Sequence, residues 1–150
     1  MKMKKISCII LFVVMGIACE DNESEKLSFT KFKITDANGQ SILKVDEKGT
    51  LTKNGVHVGF IKKSGIVEDK KERTVLQLAE GGSLFVDGEG KEVIEIDKYG
   101  TFLSSSGEII HWNDAGELMR GDENTGISIY PVEKELLQFA SVLLYIHYVI

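Results

Sequence analysis

Residues 36–51 read DANGQSILKVDEKGTL, and residues 87–102 read DGEGKEVIEIDKYGTF. Laid over one another at an offset of 51, the two stretches share Asp36/Asp87, Gly39/Gly90, Asp46/Asp97, Gly49/Gly100 and Thr50/Thr101. Ile42, Leu43, Val45 and Leu51 meet Val93, Ile94, Ile96 and Phe102, apolar against apolar, without a gap. Further on, with one slipped residue, Gly55 falls on Gly107, and Val58 and Phe60 fall on Ile110 and Trp112. Gly65 returns to register on Gly116. Self-similarity at a fixed offset marks an internal duplication, here with units of about 34–68 and 85–119.

Each unit is built around turns. Asp at the first turn position bonds the backbone ahead of it, and Gly at the fourth accepts positive φ. The intervening runs have the length of short strands, and several alternate: Val56, Val58 and Phe60 against His57, and Ile110 and Trp112 against Ile109 and His111. Alternation broken by frequent turns predicts consecutive antiparallel hairpins. Such a sheet must close, stack or be covered to protect its edges. The expectation is a mainly β domain over 28–130, formed as a small barrel, a sandwich or a flower-like set of hairpins. The charged run Glu68 to Arg73 is expected as a solvated loop between the units. The DxxG turns and the segment NGVHVGFI (54–61) resemble Gly-rich β-hairpin repeats of bacterial envelope proteins, over about half of the chain.

The carboxyl-terminal stretch 131–150 breaks this pattern. Pro131 suits a first helical turn, and Glu133 and Glu135 suit its positive end. From Leu136 onward the chain is nearly all apolar, and Gln138, Ser141, Tyr145 and Tyr148 fall on one helical stripe, expected as one wet seam on a helix buried on its other sides. The expected hydrophobic helix covers the sheet. Membrane insertion and partner binding stand as alternatives, although the run is short for a bilayer span.

The start of the chain, MKMKKISCIILFVVMGIAC, has a basic segment, a short apolar run and small residues before Cys19. This is the layout of a secretory signal over 1–18. Gly16-Ile17-Ala18-Cys19 resembles a bacterial lipobox, with Gly where Leu is usual. The resemblance implies a lipid on Cys19 and a place in the bacterial cell envelope. The membrane, reached through that lipid, is then the first partner. Residues 19–27 read as an acidic, solvated tether.

Net charge is −5 over 150 residues, and about −8 without the three lysines of the signal segment. That balance excludes a nucleic-acid partner, which demands clustered Lys and Arg. Of the two cysteines, Cys8 and Cys19, only Cys19 survives removal of the signal, so no internal disulfide can form.

Motifs for catalysis, cofactors or metals are absent from the sequence. Asp36 to Glu47 places oxygens in a manner that invites a calcium loop, but Gln40 and the apolar run 42–45 favour turn and strand. His57, His111 and His147 have no ligand spacing. Ser104 to Ser106 stand where the other unit has a turn. Trp112 and Tyr99 are candidate aromatic contacts for a sugar, and the match of Trp112 to Phe60 favours a core role. The leading expectation is a non-catalytic binding or structural lipoprotein whose further partner is a protein or a glycan. A membrane-tethered hydrolase of envelope polymers and an immunity-type lipoprotein are the alternatives.

Overall fold

The computed structural model describes residues 30–148. The signal segment, Cys19 and the acidic tether lie outside the described residues. Twelve strands follow one another: β1 (Phe32–Thr35), β2 (Ser41–Val45), β3 (Thr50–Lys53), β4 (Val56–Ile61), β5 (Ile66–Asp69), β6 (Thr74–Leu78), β7 (Leu84–Val86), β8 (Glu92–Glu95), β9 (Phe102–Leu103), β10 (Ile109–Trp112), β11 (Glu117–Arg120) and β12 (Glu123–Tyr130). A 3-10 turn, Lys134–Leu136, leads into α1, Leu137–His147.

The turn chemistry sets this pattern. Eight turns share one hydrogen-bond arrangement, in which the fourth residue donates to the carbonyl of the first and the first donates to the carbonyl of the fifth. They begin at Asp36, Asp46, Lys62, Asp69, Asp87, Asp97, Ser104 and Asn113. In five of them one Asp carboxylate oxygen also accepts from the amides two and four residues on, and Asn113 does the same with its side-chain carbonyl. The fourth position needs positive φ, which Gly adopts freely. Glu72 holds that position at φ 64° in the turn after β5, where an L-residue meets steric cost.

All strand pairs are antiparallel, in the order β8-β7-β6-β5-β4-β3-β2-β1-β12-β11-β10-β9. β1 therefore pairs with both β2 and β12, and the meander bends into a nearly closed, barrel-like sheet. The duplication maps β1–β6 onto β7–β12, with the Asp36 turn equivalent to the Asp87 turn. The single break lies between β8 and β9, which share the Asp97–Gly100 turn but are not ladder partners. The equivalent strands of the first half, β2 and β3, do pair, Leu43 with Lys53 and Val45 with Leu51.

A twelve-stranded ring is wider than the eight-stranded kind that side chains alone fill. Here α1 occupies the space. Residues 138–144 are all buried, and seven consecutive helical residues make about two turns, so every face of the helix is covered. Twenty-two buried apolar side chains form one core among the described residues, and six of them belong to residues 136–144. The helix starts beside the turns at Gly82 and Gly100, on one rim of the ring. It ends beside Lys53 at the other rim, where the Lys53 ammonium donates to the His147 carbonyl at 3.0 Å and lies 4.7 Å from the Tyr148 ring. A cation at a helix C-terminus is favourably placed.

Four local expectations need correction. Pro131 does not start the helix; it follows β12 through a cis peptide bond, and α1 begins six residues later. Glu68 is not in a solvated loop. It is a buried residue of β5 paired with Lys62 at 3.1 Å, and the exposed turn at 69–72 lies within the first half, not between the halves. In β4, Gly59 and Ile61 are buried while Val56 is 61% exposed, so Ile61, not Phe60, is the counterpart of Trp112. The slipped residue is confined to the Asn54–Gly55 turn, which is shorter than its Ser104–Gly107 equivalent. Finally, the polar stripe of the helix is not a wet seam: Gln138 and Ser141 are buried and hydrogen-bonded.

Candidate functional site

The break between β8 and β9 is the feature that sets this surface apart. β9 has two residues because the next turn already begins at Ser104, whereas β3 runs on to Lys53 before Asn54 turns the chain. A two-residue strand cannot complete the ladder, and polar groups along the break must find other partners. The helix stripe supplies some of them. The Gln138 amide donates to the carbonyls of Ile96 and Gly82, each at 2.8 Å. The Ser141 hydroxyl donates to the Gly100 carbonyl at 2.6 Å and accepts from the Trp112 indole N–H at 2.9 Å. Tyr145 meets the Phe102 ring edge-on, 6.5 Å between centroids. Gly100 has φ 80°, and a Cβ there would lie 2.8 Å from Ser141 Oγ, so the helix can approach only a glycine.

The inner side of the break is thus sealed, and the outer side is open. Four of the seven large apolar residues exposed among the described residues gather there: Val93, Tyr99, Leu103 and Ile109. Leu103 and Ile109 are direct cross-strand partners, 62% and 52% exposed. The strand period explains this, because Phe102, Ile110 and Trp112 point inward and their neighbours must point out. Glu92 and Glu95 on β8 and Glu108 beside β10 border the patch, Glu108 paired with Arg120 at 3.1 Å. Two bare strand edges beside exposed apolar side chains form a template for an added strand.

Of the two aromatic candidates, Trp112 is buried and engaged with Ser141, while Tyr99 is exposed in the turn with the Lys98 ammonium 5.3 Å from its ring. They do not share one exposed platform. Sequence reasoning missed Val93, Leu103 and Ile109. The alternation of β10 already marked Ile109 as opposite to Trp112, which was the signal available for it. Cys19 lies outside the described residues.

The polar candidates resolve into structural roles. Asp36 is engaged by the amides of Asn38 and Gln40. His57 and His111 are hydrogen-bonded to the carbonyls of Gly59 and Gly121. His147 sits at the helix end, and burial, followed by the nearby Lys53 charge, pushes its pKa down. Ser104 Oγ accepts from the Glu108 amide within its turn. Among the described residues no group of three or more His, Cys, Asp or Glu is placed to hold a metal ion. Asp46, Asp69 and Asp87 are held below the ordinary carboxylate range, first by the amides of Thr50, Arg73 and Lys91 respectively. These are exposed turn positions, so the depressed values report turn geometry. Among the described residues, no helix is long and apolar enough to cross a membrane.

Compared with known proteins, the chain matches no family model, no curated protein and no solved structure.

Proposed function

We propose that this chain is a non-catalytic binding module of the bacterial cell envelope, tethered through a lipid on Cys19, and that it docks partners along the β8–β9 break. The observation that carries the docking edge is the open ladder flanked by Val93, Leu103 and Ile109 on its outer face. The cellular address rests on the signal-like segment and Cys19 alone. The occupant is an extended segment of a partner protein, joined by strand addition. Apolar side chains on alternate positions would cover the patch, and basic side chains between them would complement Glu92, Glu95 and Glu108. A hydrolase would require acid and base groups converging in a cleft. The perturbed carboxylates here are separate turn residues on different hairpins.

The test is calorimetric titration with a synthetic peptide of alternating valine and lysine. The wild-type protein should bind it, and Leu103→Lys and Ile109→Lys should each weaken binding by roughly tenfold or more. Val56→Lys, which changes an exposed apolar residue away from the break, should leave binding unchanged. Absence of binding by the wild type, or equal binding by all variants, would refute the proposal.

A further inference from the structure

On the outer face of the opposite side of the ring lies a groove of about 990 Å³. Its lining includes a transverse row of cross-strand partners on four adjacent strands, beside the buried Phe32 and Val45. Tyr130 on β12 faces Lys33 on β1, Lys33 faces Lys44 on β2, and Lys44 faces Thr52 on β3. Lys31, two residues before Lys33 on the same face, and Lys63, from the turn after β4, also line the groove. From these residues we infer a binding site for an acidic oligosaccharide. The inference uses none of the residues of the β8–β9 break and stands or falls separately.

Two features argue for an anion. Lys33 and Lys44 are directly opposed, and like charges in that position repel. Neither Lys31 nor Lys44 makes an ion pair among the described residues. Two acids, Asp46 and Glu47, also line the groove against the four lysines, and Asp46 Oδ1 already accepts from the amides of Lys48 and Thr50. A bound carboxylate would therefore meet cations whose repulsion it relieves.

Two further features argue for a sugar. Tyr130 is 50% exposed at one end of the row, with the Lys33 ammonium 6.0 Å from the ring centroid, at the outer limit of a cation–π contact. An aromatic face beside a charge suits a ring that is apolar on its face and acidic at its edge. Thr52 closes the other end of the row, and Thr50 also lines the groove. Four strands span about 14 Å at ~4.8 Å spacing, room for a short chain of sugars and more than a single small anion needs.

The probe is trigalacturonate, with its fully methyl-esterified form as the neutral comparison and vesicles of anionic phospholipid as a second comparison. Trigalacturonate should bind by calorimetry, and the esterified form should bind at least roughly tenfold more weakly. Lys33→Gln with Lys44→Gln, and separately Tyr130→Ala, should each lower affinity by a similar factor. The lysine variant should unfold at a temperature no lower than the wild type, because the substitution removes a like-charge pair. Equal binding of charged and esterified sugars, unchanged affinity in the variants, or binding confined to the vesicles would overturn the inference.

Discussion

A single carboxylate oxygen organises each Asp turn by accepting from two backbone amides. Folding therefore favours the ionised form of Asp46, Asp69 and Asp87. Because their folded pKa values lie below the ordinary side-chain value of 3.8, the stabilisation is complete above that value. It is lost as pH falls through 3.8 toward the lower folded values. Asn113 performs the same bonding without titrating. Replacing the three aspartates by asparagine should keep the fold at pH 7 and flatten the loss of stability as pH falls below 3.8, read by urea unfolding across the acid range. An unchanged acid limb would show that the turns do not carry it. This chemistry is legible in the sequence because Asp and Gly act within four residues. Inward or outward orientation is less legible: the change in turn length at Asn54–Gly55 set Phe60 against Trp112, whereas within β4 itself the inward position opposite Trp112 falls to Ile61.

At the scale of elements, the helix stripe and the β8–β9 break are complementary. Ser141→Ala would leave the Trp112 N–H and the Gly100 carbonyl without their side-chain partner in a buried place. The expected cost is about 2–6 kcal/mol, since each of the two orphaned groups costs roughly 1–3. Urea unfolding of the full chain measures it. A loss below about 0.5 kcal/mol would mean that water reaches these groups and that the stripe does not seal the break. The stripe itself was visible as polar residues at helical spacing, and the helix was visible as an apolar run. Their partners were not, because the open ladder depends on where the Ser104 turn begins relative to β9. A duplication read from sequence predicts that equivalent strands pair alike, so the one place where they do not could not be anticipated. The exposed apolar patch at Val93, Leu103 and Ile109 was hidden for the same reason. The row from Tyr130 to Thr52 was hidden because it joins residues distant in sequence through register alone.

For the whole molecule, the sequence predicted a mainly β chain with a covering helix, and the structure is a nearly closed sheet of twelve strands with that helix inside. An apolar segment that reads as a candidate for membrane or partner contact is instead the filling of the ring. The seam is where the ring stays open, and the helix keeps its inner side sealed while its outer side stays exposed. Native-state hydrogen exchange of the full chain tests this arrangement most directly. Amides of residues 139–144 should exchange only through global unfolding, among the slowest in the protein, while amides on the free edges of β8 and β9 exchange through local opening. Helix amides exchanging as fast as the exposed turns, or β8 and β9 edge amides as slow as the helix, would contradict it.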